Sequence, residues 1–143
     1  MPSITFFEED IKFKLKQKES IRGWIVNTIN TEGYKLKSLS FIFCSDNYLL
    51  QINQQFLNHD TFTDIITFDN SDRDGLVMGD IFISVERIRE NATQLHITET
   101  DEMHRIMIHG VLHLLGYKDK TVDDKKKMTQ KEDFYLQQRA LNQ

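Results

Sequence analysis

Residues 64–84 read Asp64-Ile65-Ile66-Thr67-Phe68-Asp69-Asn70-Ser71-Asp72-Arg73-Asp74-Gly75-Leu76-Val77-Met78-Gly79-Asp80-Ile81-Phe82-Ile83-Ser84, and this stretch separates a sheet-containing fold from an all-helical one. Asp64-Ile65-Ile66-Thr67-Phe68 is short and β-branched, which suits a pleated, half-buried surface and reads as a strand. The polar run 70–75 is turn chemistry, and residues 79–84 read as the hairpin partner. Ser84 then opens a helix carrying Val85, Ile88 and Ala92 at helical spacing. Towards the N-terminus, residues 39–44 read as a strand, after which Ser45 or Asp46 caps a short helix with Leu49, Ile52 and Phe56. Ile21, Trp24, Ile25, Thr28 and Ile29 mark a helix from Glu19 that stops near Gly33. Residues 4–7 read as a strand, and so does the alternation Ile11-Lys12-Phe13-Lys14-Leu15, one face apolar and one wet. Towards the C-terminus, Thr98 or Thr100 starts a helix ending near Gly116, and a polar helix runs from about Val122 to Leu141. The expected fold is α+β, a single domain over residues 1–143 with a small mixed β-sheet packed with several α-helices.

The chain has 143 residues, 39% of them apolar and 28% charged, with six glycines and one proline. That is one ordinary domain able to build a core without staples. No apolar run reaches membrane-spanning length, and the first residues lack the pattern of a signal peptide. The single cysteine, Cys44, excludes an internal disulfide framework and a cysteine-rich zinc finger. A cytoplasmic protein is the expectation. Its net charge of −4 lacks the global basicity of a dedicated nucleic-acid binder. Local basic clusters occur at Lys12, Lys14, Lys16 and Lys18 and at Lys118, Lys120, Lys125, Lys126 and Lys127; such runs permit a polyanionic partner without arguing for one.

The chemistry concentrates in His109-Gly110-Val111-Leu112-His113-Leu114-Leu115-Gly116-Tyr117-Lys118-Asp119. Four helical residues advance about 400°, so His109 and His113 share a face one turn apart. Gly116 can end the helix in a left-handed conformation and turn the chain so that Asp119 reaches the same ion. Two imidazoles and one carboxylate leave a fourth position open, the arrangement of a catalytic rather than a structural zinc site. The spacing is that of metzincin proteases, yet the glutamate those enzymes place after the first histidine as general base is here Gly110. A peptidase is therefore disfavoured. The expected core face of this helix is Met103, Ile106, Met107, Gly110, Val111 and Leu114.

The same stretch resembles the signature H-G-x-L-H-L-x-G-Y-D-H of the YbeY-type rRNA maturation factors, bacterial metal-dependent endoribonucleases, differing at Lys118 and Asp119. Residues 52–68 are similar to a second family block, L-N-x-x-Y-R-x-K-D-x-P-T-D-V-L-S-F, and Met78-Gly79-Asp80-Ile81-Phe82-Ile83 to a third, L-G-D-I-x-I. The blocks keep the family's order and, with the segments between them, cover the chain from about residue 40 onwards. The resemblance implies an α+β fold, one zinc ion per chain, cleavage of single-stranded RNA, maturation of the 3′ end of 16S rRNA, and a role in ribosome quality control with rRNA and the ribosome as partners. His109 and His113 fall on the first two ligand positions and Asp119 on the third. The family's arginine falls on Leu57 and its lysine on His59. A non-catalytic, metal-stabilised ribosome-assembly factor is the alternative.

Other residues carry weaker expectations. Arg105, one turn before His109, is a candidate for contact with substrate phosphate, or else a surface partner of Asp101 or Glu102. His59 is a second candidate phosphate contact. His96 and His104 read as partly exposed polar residues. Asp64 and Asp80 read as turn-capping carboxylates or as acceptors orienting a ligand imidazole. Cys44, Phe41, Phe43, Phe68 and Phe82 read as core.

Overall fold

The computed structural model describes residues 1–59 and 61–139. Nine elements follow one another: β1 (Ser3–Glu8), α1 (Lys18–Thr31), β2 (Lys35–Cys44), α2 (Asp46–Leu57), β3 (Ile65–Asp69), β4 (Leu76–Ser84), α3 (Val85–Leu95), α4 (Glu99–Leu114) and α5 (Val122–Leu136). The four strands form one mixed sheet in the order β1-β2-β4-β3. β1 and β4 flank β2 in parallel, and β3 runs antiparallel to β4. The α+β expectation holds.

Strand alternation distributes the side chains between two faces. Phe41, Phe43, Ile81 and Ile83 enter the main core with Ile21, Trp24 and Ile25 of α1 and Met103, Met107 and Val111 of α4. The alternate positions Cys44 and Phe82 meet Leu49 of α2 and Ile66 in a smaller cluster on the other face. Phe56, expected to pack inwards, is exposed but sets its ring edge-on to Phe68 at 6.0 Å. Ser45, Ser84 and Thr98 accept from the backbone N–H three residues on, at 3.0–3.1 Å, and Thr121 forms a full capping box with Asp124. Each such cap is worth roughly 1 kcal/mol.

Four boundaries differ from expectation. Residues 11–15 are not a strand. The last ladder bond on that side runs from Glu9 N to Phe43 O. Asp10 then adopts a positive φ of 36°, and its carboxylate accepts from the Ser45 N–H and hydroxyl at 3.0 and 2.6 Å, turning the chain off the sheet. β2 begins at Lys35 rather than at residue 39, and β4 at Leu76 rather than at Gly79, because Lys35 and Leu76 already stand in register. α5 ends at Leu136, and Leu141 lies outside the described residues.

Candidate metal centre

α4 is a 16-residue helix whose buried stripe lies on β3 and β4. Gly110 lies where the helix packs closely on Ile65 and Ile81. A Cβ there would stand 2.9 Å from Ile65 Cδ1 and 3.1 Å from two carbons of Ile81, so the residue is small because the sheet leaves no room. A glutamate at 110 would point into that packing. On an adjoining face, His109 and His113 stack edge-to-face with ring centroids 4.5 Å apart. The helix closes with Tyr117 N–H on Leu112 O at 3.1 Å and Gly116 N–H on His113 O at 3.0 Å, with Gly116 at φ +100°, the left-handed stop that favours glycine. The chain then returns, placing Asp119 Oδ2 3.7 Å from His109 Nε2. One donor atom from each of His109, His113 and Asp119 lies within 4.8 Å of the others, a group that can hold one metal ion.

The other ring nitrogens are engaged. His109 Nδ1 is 2.6 Å from Glu132 Oε2, and His113 Nδ1 is 2.9 Å from the carbonyl oxygen of Tyr117. A proton on each Nδ1 satisfies those acceptors and leaves each Nε2 lone pair for a cation, which is how carboxylates and carbonyls orient ligating imidazoles. Glu132 is itself held by Arg105, whose Nη1 reaches Glu132 Oε1 at 2.8 Å while Nη2 reaches Asp133 at 2.7 Å. Tyr117 is fixed by its hydroxyl, which donates to Glu32 Oε1 at 2.5 Å. Glu32 also accepts from Lys131 at 3.0 Å and from the Tyr135 hydroxyl. Tyr34 donates to Leu115 O at 3.0 Å. The metal-side turn is thus tied to the corner between α1 and β2 and to α5.

The field at the site is negative. Burial works against a charge on His109, but the hydrogen bond and charge of Glu132, then Asp119 and Asp64, outweigh it and raise the pKa above the ordinary value. Burial, and then the charge of His109, lowers that of His113. Burial raises the pKa of Asp64, opposed by His109 and Arg87. Carboxylates gathered around two imidazoles make an environment that suits a divalent ion.

The sequence model of the family described as Endoribonuclease YbeY matches residues 3–140. This chain belongs to the YbeY endoribonuclease family. A protein of Cytophaga hutchinsonii named Endoribonuclease YbeY is 51% identical over 139 residues, covering 97% of each chain. One of Flavobacterium psychrophilum with the same name is 48% identical over 130 residues, covering 91% of this chain and 92% of the other. A Thermotoga maritima protein known from its solution structure superposes with a TM-score of 0.65 at 26% identity, covering 94% of this chain and 87% of that one.

The YbeY-family match spans every residue of the metal centre, including two that the sequence reading missed. Glu132 and Glu32 reach the site across 23 and 85 residues, to His109 and Tyr117 respectively. Glu132 left one sequence signal: it occupies the buried stripe of α5 with Met128 and Tyr135, a carboxylate at an apolar position. Arg105 pairs with Glu132 and Asp133, not with Asp101 or Glu102. Asp64 immediately precedes β3, its carbonyl accepting from Ser84 N–H, while the Nδ1 of His109 goes to Glu132. Asp80 accepts from Asn70 Nδ2 at 3.1 Å and ties the hairpin turn. Leu57 and His59 are exposed at the end of α2. His96 is an exposed, left-handed helix cap. His104, by contrast, is buried against Trp24 and Arg139, because it points to the α1 side of α4, where a tilted ring and a guanidinium enclose it.

Proposed function

We propose that this chain is a zinc-dependent endoribonuclease specific for single-stranded RNA, acting in the cytoplasm on rRNA in maturation of the 3′ end of 16S rRNA and in ribosome quality control. The observation that carries the reading is the convergence of His109, His113 and Asp119 in a chain of the YbeY endoribonuclease family, with both Nδ1 atoms already committed to acceptors. The donor set fits zinc, for which two imidazoles and a carboxylate are ordinary ligands. A bound zinc ion would supply Lewis acidity towards the scissile phosphate. The protein's own part is positional: Glu132 and the Tyr117 carbonyl fix the two rings, the turn at Gly116 delivers Asp119, and Gly110 brings α4 hard against the sheet. Arg105 and His59 are the proposed substrate-phosphate contacts, Arg105 through the edge of its guanidinium not taken by Glu132 and Asp133. Gly110 weighs against a peptidase, since it supplies no general base.

Purified protein assayed on single-stranded RNA, duplex RNA and casein, with and without a chelator, tests this. The expected result is chelator-sensitive cleavage of the single strand alone. Casein cleavage would contradict it, and metal binding with no cleavage of any RNA would leave the non-catalytic assembly factor.

A further inference from the structure

A cavity of about 700 Å³ opens away from the metal centre at the carboxyl end of the parallel strands, the end at which α/β sheets take their ligands. Its apolar lining is Ile11, Phe13, Leu15, Val85, Ile88 and Met103. None of His109, His113 and Asp119 lines it. Met103 and His109 are six residues apart on α4, about 9 Å along the helix axis. The volume lies in the range of sites that enclose a small organic group.

One wall is the segment that the alternation of residues 11–15 assigned to a strand. Released from the sheet at Asp10, it buries Leu15 and sets the ring of Phe13 4.7 Å from that of Phe43. Lys12, Lys14 and Lys16 also line the cavity, and all three are exposed. Three like charges thus alternate along one short segment at the cavity mouth. Among the described residues none of them forms an ion pair, whereas the nearby Arg89 is matched by Glu99 at 3.6 Å. Glu8 and Glu99 also line the cavity, yet the three lysines stay unpaired in a chain of net charge −4, and a partner carrying several negative charges relieves their mutual repulsion. An apolar slot beside a row of cations is also what unpaired nucleotides require: bases pack on apolar side chains and phosphates follow the positive track.

We propose that this groove is a second RNA-docking site, seating one or two unpaired nucleotides with their bases against the half-buried Ile11 and Phe13 and their phosphates along Lys12, Lys14 and Lys16. It rests on the RNA reading of the metal centre and deepens it: substrate is held at a point distinct from the place of cleavage. That division suits a chain whose overall charge gives it little general affinity for polyanions.

The test is fluorescence anisotropy of a labelled single-stranded 12-nucleotide RNA with the full-length protein, its triple variant Lys12→Gln/Lys14→Gln/Lys16→Gln, and the matched variant Lys125→Gln/Lys126→Gln/Lys127→Gln. Because the three groove lysines are exposed, the variant keeps the wild-type thermal midpoint. Its Kd should rise about tenfold or more, and the slope of log K against log salt should become shallower by about 2, the value for three lost phosphate contacts to a single strand. The matched variant should change neither. If wild-type protein cleaves and binds RNA while the groove variant keeps the wild-type Kd and slope, the groove assignment falls and the RNA reading stands. If wild-type protein neither binds nor cleaves RNA, both fall. Displacement by polyglutamate as effective as that by polyuridylate would also overturn the proposal, since the groove would then take an acidic peptide.

Discussion

His109, His113 and Asp119 were legible because one helix and the turn after it bring them together. The i, i+4 spacing and Gly116 suffice, with no knowledge of the rest of the chain. Glu132 was not legible as a partner, since only the packing of α5 on α4 brings it to His109 Nδ1. Glu132→Gln keeps a polar acceptor but removes the charge, and the metal should bind roughly 10- to 100-fold more weakly, measured by competition with a chromogenic chelator. Unchanged affinity would relieve Glu132 of this role. Gly110 carries a different kind of constraint. Alanine would gain about 1 kcal/mol in helix propensity, but its methyl would meet Ile65 and Ile81 at 2.9–3.1 Å, and overpacking of that kind costs roughly 1–3 kcal/mol. Urea unfolding of Gly110→Ala should therefore show a net loss on the order of 1 kcal/mol. A gain would mean that α4 and the sheet separate easily.

Among the elements, the error over residues 11–15 has a clear cause. Period-two alternation reports that one side of an extended segment is buried and the other wet; it does not report who receives the backbone hydrogen bonds. Asp10 spends its carboxylate on Ser45, and the segment covers the core edge as a strap instead of extending the sheet. The helices were placed well because their caps are local, as at Ser45, Ser84, Thr98 and Thr121. What α5 does was hidden, since its anchors are distant: Trp24 Nε1 donates to Tyr135 O at 2.7 Å, and the Glu32 cluster joins α1, the post-helix turn and α5. Glu32→Leu removes the acceptor for Tyr117, Tyr135 and Lys131. Leaving a buried donor unpaired costs roughly 1–3 kcal/mol; Tyr135 is buried while Tyr117 and Lys131 are half-buried and can turn to water, so unfolding free energy should fall by about 1–3 kcal/mol, with Glu32→Gln losing less. An equal loss in both variants would show that the carboxylate's charge, not its acceptors, holds the elements together.

For the whole molecule, one contribution to acid sensitivity follows from a misplaced expectation. His104, read as partly exposed, is buried, and burial together with the neighbouring Arg139 lowers its pKa to about 4, against an opposing pull from Asp101. In the unfolded chain it titrates near 6.5. Between those values the unfolded state binds more protons, so the contribution is complete above pH 6.5 and is lost as pH falls towards 4. The part of the change between pH 7 and pH 5 that His104 contributes should be a loss of about 2 kcal/mol, read as the difference between wild type and His104→Phe in urea titrations at the two pH values. An unchanged slope in that variant would place the acid sensitivity elsewhere. The central claim, however, is the metal centre, and native mass spectrometry of the purified chain beside Asp119→Ala tests it most directly. One zinc ion per wild-type chain and none in the variant is the predicted result, whereas equal metal content in the two proteins would contradict the assignment.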